Sequence, residues 1–137
     1  MEHKIVIPGR FESLNKYLGE VSRHPIAGNR MKQHDENICV TYIRKALKNT
    51  KLKTPIVIHY GFYDKNTRRD RPNIVAYFDK VFEDALQKAG NLKNDGWHDV
   101  YNITHDFFVD TKNPRIEIVI QEVKKDERQF FLEQTTV

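Results

Sequence analysis

Two acidic segments, separated by one predicted helix, carry the residue types of a phosphate-handling enzyme. Residues 68–73 (RRDRPN) place Asp70 among three arginines, and residues 94–97 (NDGW) contribute Asp95. Arginine side chains hold phosphates through paired hydrogen bonds, and carboxylates hold the divalent cation that activates water. The pattern therefore predicts a metal-dependent enzyme that acts on a polyanion. The alternative is that these are ordinary solvated loop charges.

The elements that must position these segments follow from hydrophobic periodicity and from turn residues. The pattern predicts strands at 4–7, 56–63, 100–109 and 115–123, and helices at 14–23, 31–48 and 73–89, in the order βααβαββ. The last two strands, joined by a short polar loop, predict an antiparallel hairpin. We expect one α/β (α+β) domain over residues 1–123, a small mixed sheet with helices packed on it, and a charged, frayed tail at 124–137.

Composition excludes several classes of protein. Hydrophobic residues make up 39% of the 137 residues, which is typical of a globular domain rather than a disordered chain. The longest apolar runs are strand-sized and too short to cross a membrane, and the first residues resemble a strand rather than a signal peptide. The lone cysteine, Cys39, is expected in the core, which favours a reducing compartment such as the cytoplasm. The six histidines show no zinc-ligand spacing.

Charge is unevenly distributed along the chain. The formal net charge is +4, but residues 1–69 carry 14 Lys/Arg and 6 Asp/Glu, a balance of +8, whereas residues 70–137 carry 9 and 13, a balance of −4. The first part can supply an electrostatic footprint for nucleic acid, and the second can supply carboxylates for a cation. The alternative is that the lysine-rich helix faces are simply solvated.

Four polar residues of the predicted third helix recur at helical spacing on one face: Asn73, Tyr77, Lys80 and Asp84. They can line a groove near the helix N-terminus, or form a solvated face with a Lys80–Asp84 ion pair. Asp84 lies about 16 Å along the helix from Asn73, too far to share a cation with Asp70. We therefore expect Asp84 to be a structural or dimer-contact residue. Asp95 follows the helix end and can return to the sheet edge near Asp70.

Short fragments spread over residues 4–123 match one family in order and spacing. They are 7–9 (IPG), 13–17 (SLNKY), 28–32 (GNRMK), 69–70 (RD), 73–74 (NI), 84–86 (DAL), 88–90 (KAG), 94–97 (NDGW) and 113–117 (NPRIE). On these fragments the chain resembles the RusA-type Holliday-junction resolvases, in the variant common in phages and prophages of Gram-positive bacteria. The resemblance implies a homodimeric, Mg²⁺-dependent endonuclease, with Mn²⁺ as an alternative cation. Such an enzyme resolves four-way DNA junctions by paired nicks in recombination and repair.

The resemblance also implies roles for single residues. Asp70 and Asp95 match the catalytic aspartates and, with Asn73, are expected to hold the cation. Counting back from 84–86 places the catalytic lysine at Lys80, whereas counting forward from Asn73 does not. Five basic residues are expected to contact DNA: Arg30, Lys32, Arg68, Arg69 and Arg71.

One position departs from the family pattern. The acidic loop of the family usually reads Asp-x-Asp-Asn, and Pro72 occupies the place of the second aspartate. Proline cannot bind a metal through its side chain, so the Asn73 amide, a backbone carbonyl or a water would have to fill the gap. The alternative function is a junction-binding protein with weakened or lost catalysis. A third is a nucleic-acid-binding module unrelated to junctions.

Overall fold

A computed structural model describes residues 1–124, which form three helices and four strands in the predicted order βααβαββ. The strands are β1 (Glu2–Pro8), β2 (Ile56–Asp64), β3 (Val100–Val109) and β4 (Arg115–Glu122), and the helices are α1 (Leu14–Arg23), α2 (Pro25–Leu47) and α3 (Arg71–Lys88). The predicted α/β (α+β) class with a small mixed sheet is therefore confirmed. Apart from Lys124, the predicted tail lies outside the described residues. No helix within residues 1–124 is long and apolar enough to cross a membrane.

The sheet order is β1-β4-β2-β3, with β4 antiparallel to β1 and β2, and β3 parallel to β2. The predicted hairpin of the last two strands is therefore wrong, because β3 and β4 are not neighbours. Three side chains of β4, Ile116, Ile118 and Ile120, are buried, and a central position gives them apolar neighbours on both sides. By contrast, most residues of β3 are half-buried or exposed, which suits an edge strand.

The connection through α3 makes β2 and β3 parallel, since a strand–helix–strand unit returns the chain in the same direction. α3 therefore runs antiparallel to both strands. Its N-terminus lies at the end of β2, and the turn that follows it lies at the start of β2. The amide of Ile56, the first residue of β2, accordingly donates to the carbonyl oxygen of Asp99 at 2.8 Å. This direction decides where the candidate functional residues lie.

One hydrophobic core joins the three helices to the sheet. The apolar residues that recur at helical spacing along α3 form its inner face, and five of them are buried: Ile74, Phe78, Val81, Phe82 and Ala85. The ring of Tyr60 on β2 meets Phe78 and Phe82 edge-on, with centroids 5.9 and 5.8 Å apart. Cys39 is fully buried, as predicted. Helix periodicity was thus a reliable indicator of which face of α3 is internal.

The segment that connects α1 and α2 is shorter than predicted. α2 begins at Pro25, and His24 alone adopts an extended conformation between the two helices. Proline fits the first turn of a helix, where its missing N–H has no partner to lose, and the His24 ring accepts a hydrogen bond from the Ile26 amide at 3.2 Å. Gly28 belongs to the helix rather than to a turn. It allows close packing, because a Cβ there would lie 2.3 Å from the side chain of Val21 on α1.

Candidate functional site

The arginine-rich loop between β2 and α3 is anchored by Asp64, the last residue of β2. Its carboxylate pairs with Arg10 and with Arg69, whose Nε lies 3.0 Å away. Arg69 also donates to the carbonyl oxygen of Phe11. Burial favours a higher pKa for Asp64, but hydrogen bonds from the Lys65 amide and the two arginines hold its pKa below the ordinary value. Arg69 thus helps to anchor the loop, and its predicted contact with DNA stays a prediction.

Asp70 and Asn73 lie together at the N-terminus of α3. Asp70 immediately precedes the helix, is exposed, and makes no side-chain capping hydrogen bond. Asn73 is half-buried in the first turn. The guanidinium of Arg71 packs over the ring of Phe107 on β3, 5.5 Å from its centroid, and Arg68 is exposed in the loop. This end of α3 therefore presents one carboxylate among cationic side chains.

Asp95 lies in the turn after α3 and lines a cavity of about 410 Å³ at the start of β3. Its lining includes two acids, two aromatic residues and one amide: Glu83, Asp95, Trp97, Tyr101 and Asn102. Trp97 is 89% exposed, whereas Glu83 is only 9% exposed. The cavity therefore combines two carboxylates with two aromatic rings at the edge of the sheet.

The structure does not bring Asp70 and Asp95 together. Glu83, which shares the cavity with Asp95, follows Asp70 by thirteen residues. That separation is about 20 Å along a helix with a rise of about 1.5 Å per residue. The expected approach of Asp95 to Asp70 is therefore wrong within one chain. The reason is the direction of α3, because the loop before it and the turn after it lie at opposite ends of β2.

The expected Mg²⁺ ligands consequently do not form one site in a single subunit. Asp70 and Asn73 are neighbours, but the free N–H groups of a helix N-terminus favour anions rather than cations. Within residues 1–124, no three His, Cys, Asp or Glu side chains form a group that could hold a metal ion. The set of Asp70, Asn73 and Asp95 thus does not fit a cation without some further partner.

Sequence reasoning missed an acidic pair on α3, the half-buried Asp79 and the buried Glu83. Glu83 accepts a hydrogen bond from the Tyr60 hydroxyl at 3.3 Å, and an oxygen of Asp79 lies 2.6 Å from His105 Nε2. The rings of His105 and Tyr60 stack with centroids 5.2 Å apart. Asp79 Oδ1 is buried without a hydrogen-bond partner among the described residues. A signal was present in the sequence, since each acid directly follows a core residue of the helix. Asp79 follows Phe78, and Glu83 follows Phe82.

Burial is the main reason that both acids hold protons more tightly than usual. It raises the pKa of Glu83 to about 7, and the negative charges of Asp79 and Asp95 add to the effect. It also raises the pKa of Asp79 to about 6, against the attraction of His105. Carboxylates whose pKa lies near neutrality are suited to accept or donate a proton in a reaction.

Lys80 and Lys32 share one carboxylate partner, Asp84. Its oxygens lie 3.1 Å from Lys80 Nζ and 3.3 Å from Lys32 Nζ on α2, which agrees with a structural role for Asp84. The hydrogen bond to Asp84 and the charge of that residue raise the pKa of Lys80. The charges of Asp95 and Glu83 also act on Lys80, whose side chain is 62% exposed. Lys80 is therefore close to the cavity, and Lys32 reaches the same carboxylate from α2.

The predicted polar face of α3 is interrupted at Tyr77. This residue is 3% exposed, and its hydroxyl donates to Asp35 of α2 at 2.6 Å. Burial and the carboxylate of Asp35 raise the pKa of Tyr77. Tyr77 thus links two helices, and with Lys80 it also lines a cavity of about 100 Å³. Of the residues predicted to contact DNA, three are exposed: Arg30 on α2, Arg68 and Arg71.

The free energy of unfolding should depend on pH through Glu83. Its pKa is about 7 in the folded protein and 4.5 as an ordinary value, so the folded state binds more protons between these two values. Stability is therefore lost as the pH rises through that window. Glu83→Gln cannot ionise. It should raise the free energy of unfolding by about 1–2 kcal/mol at pH 8 and leave it almost unchanged at pH 4.

Urea unfolding of both proteins at several pH values measures this difference. Glu12→Gln, which removes an exposed carboxylate before α1, is the matched control and should show no such pH-dependent gain. An equal stability difference between Glu83→Gln and the parent protein at pH 4 and pH 8 would contradict the prediction.

No model of a known protein family matches the chain, and no curated protein matches it. The resemblance to RusA-type resolvases therefore stays a prediction that rests on the sequence fragments.

Proposed function

We propose that the chain is a cation-dependent endonuclease that cuts branched DNA, resolving four-way junctions by paired nicks as the RusA-type resemblance implies. The observation that carries the proposal is the cavity beside Lys80, in which Asp95 shares a wall with the buried acid Glu83. A junction nuclease needs a proton acceptor and a cationic group close to the scissile phosphate. Glu83 and Lys80 supply these two functions at one end of α3.

In the proposed reaction, a water oxygen attacks phosphorus and the bond to the leaving sugar oxygen breaks. Glu83, with its pKa of about 7, accepts the proton released by the attacking water. Lys80 neutralises charge on the phosphate or on the leaving oxygen. Mg²⁺ is the proposed cation, with Mn²⁺ as the alternative. When bound, the cation would stabilise the negative charge that develops on the phosphate.

The exposed cations provide the DNA contacts of this proposal. Arg30 and Arg68 are solvent-exposed and can bind phosphates without first breaking a buried contact. Lys32 must share Asp84 with Lys80, so it contributes less. Contact with the backbone of a branched duplex by several such side chains from two subunits would give tight binding without base-specific contacts.

A second function, junction binding without cleavage, is favoured by one specific observation. Asp70 and Asp95 are held at opposite ends of α3, and Pro72 stands in the first turn of that helix where the family has an aspartate. If no partner completes the cation site, the chain would retain a basic surface for DNA but lack the ligands for hydrolysis.

A single assay separates the two functions. A synthetic mobile four-way junction is incubated with the protein in Mg²⁺, in Mn²⁺ and in EDTA, and a linear duplex of the same sequence serves as the control. Paired, metal-dependent nicks in the junction alone support the endonuclease. Retarded migration of the junction without any nick in either metal supports the binding protein, and equal affinity for junction and duplex rejects both.

A further inference from the structure

Trp97 is the only tryptophan of the chain, and it is the most exposed large hydrophobic side chain in residues 1–124, at 89%. A tryptophan ring buries roughly 150–250 Å² when it is covered, so exposure on this scale forgoes a large favourable contribution. The same side chain lines the cavity of about 410 Å³ at the start of β3, a volume that suits a small planar ligand. The indole is therefore placed as a surface on which such a ligand can stack.

The turn that carries Trp97 is fixed by backbone hydrogen bonds. The carbonyl oxygen of Gly96 accepts from the amides of Asp99 and Val100, at 3.0 and 2.9 Å. The carbonyl oxygen of Asp99 in turn accepts from the amide of Ile56 at 2.8 Å, which ties the turn to β2. An aromatic ring on an ordered turn loses little conformational freedom when a ligand covers it, so more of the stacking energy is available for binding.

The other residues of the cavity supply polar groups and a second ring. The carboxylates of Glu83 and Asp95 can accept hydrogen bonds, and Tyr101 adds an aromatic side chain. The amide oxygen of Asn102 accepts from the Ile103 amide at 3.0 Å, so its NH₂ group can donate to a ligand. Carboxylates accept from the exocyclic amino group of a nucleobase, and an asparagine amide recognises a base edge. The lining therefore matches a planar ligand that carries an amino group beside a hydrogen-bond acceptor.

We propose that this cavity, with Trp97 as its stacking surface, binds one unpaired DNA base, and that it prefers a base with an exocyclic amino group over thymine. Stacking on an indole ring accepts every base, because each has a π-face. The two carboxylates supply the preference, since adenine and cytosine present an amino group where thymine presents a carbonyl oxygen. Lys80, which lies close to the cavity, can hold the phosphate of the same nucleotide.

The lining favours a base over a second protein chain as the ligand of this cavity. The core of a protein–protein interface is depleted in charged residues, whereas Glu83 and Asp95 both belong to the cavity. Burying two carboxylates against an apolar protein surface would cost free energy unless each found a hydrogen-bond donor. A nucleobase brings such donors and an aromatic face for Trp97 together in one small group.

Base binding would give the protein a means to distinguish branched from linear DNA. A base that is unpaired or poorly stacked can leave the helix at a lower cost than one inside a continuous duplex. Stacking is interrupted at the centre of a branch, so a cavity that takes up one base would act there preferentially. This consequence for the choice of substrate rests on the proposed function, whereas the binding of an unpaired base does not.

The fluorescence of Trp97 measures base binding directly, because no other tryptophan contributes to the signal. The protein is titrated in EDTA with three hairpin duplexes that differ at one position: fully paired, with a bulged adenine, and with a bulged thymine. Stacking of the bulged base should quench the emission. We expect strong quenching by the adenine bulge, an affinity at least about fivefold weaker for the thymine bulge, and little quenching by the paired duplex.

Variants assign the effect to the ring of Trp97. Trp97→Ala should lower the preference for the adenine bulge over the paired duplex by about 5- to 150-fold, measured by fluorescence anisotropy of labelled DNA. Trp97→Phe keeps an aromatic ring and should recover most of this preference. Phe108→Ala removes another exposed aromatic side chain, 47% exposed at the other end of β3. It is the matched control and should keep the preference of the parent protein.

Equal quenching by paired and bulged duplexes, or an unchanged preference in Trp97→Ala, would overturn the proposal. A blue shift of the Trp97 emission as the protein concentration rises without DNA would also overturn it, because a second copy would then cover the ring. If junctions are nicked but Trp97 is not quenched, base binding fails and the proposed function stands. If the bulged base binds and no junction is nicked, the proposed function fails and the base site stands.

Discussion

Asp95→Asn should reduce cleavage of a four-way junction by about 100-fold or more, with junction binding retained or tightened. The change removes a carboxylate from the cavity that also contains Glu83 and keeps the size of the side chain. It also removes one negative charge that repels phosphate. Single-turnover cleavage gives the rate, and electrophoretic mobility shift of the same junction gives the affinity.

Asp84→Asn is the matched control for this prediction. Asp84 sits one helical turn from Lys80, but it is bound by Lys80 and Lys32 and ties α2 to α3. We expect near-normal cleavage and a loss of about 1 kcal/mol in the free energy of unfolding, as for two partly exposed ion pairs. If Asp84→Asn folds normally and does not cleave, the reactive centre lies at Lys80 and Lys32 rather than at the cavity.

The affinity for junction DNA should fall by about 1,000-fold between 50 mM and 200 mM salt. A dimer that contacts roughly six phosphates releases a comparable number of counterions, which gives this steep dependence. The positive balance of residues 1–69 supplies the charge, and the exposed Arg30 and Arg68 are its best-placed members. Fluorescence anisotropy over a range of salt concentrations measures the slope. An affinity that hardly changes over this range would reject the electrostatic interface.

Single variants locate that interface. Arg30→Ala and Arg68→Ala should each reduce the steepness of log affinity against log salt concentration. The expected reduction is about one for every arginine removed from the complex. Arg23→Ala removes an exposed arginine that pairs with Glu20 at the end of α1 and should leave the slope unchanged. Arg69→Ala should lower the free energy of unfolding rather than the slope, since Arg69 anchors the loop by pairing with Asp64 at the end of β2.

The element order and the inner face of α3 could be predicted from the sequence because both depend on local periodicity. Apolar residues at helical spacing from Ile74 to Ala85 indicated the inner face of α3, and these residues are buried. Turn residues placed Asp70 before α3 and Asp95 after it, as the structure has them. The same local reasoning began α2 at residue 31 instead of Pro25, because it could not show that Gly28 belongs to the helix and permits contact with α1.

Tertiary structure alone decided which of these residues meet. Strand pairing put β4 between β1 and β2, which left β3 at an edge, and the direction of α3 held Asp70 and Asp95 apart. Burial turned Asp79 and Glu83 into acids with raised pKa values, and the contact with Asp64 made Arg69 an anchor of the loop. The physical reason is the range of the interactions involved. Periodicity acts between residues a few positions apart, whereas strand pairing and desolvation depend on partners that lie far apart in the chain.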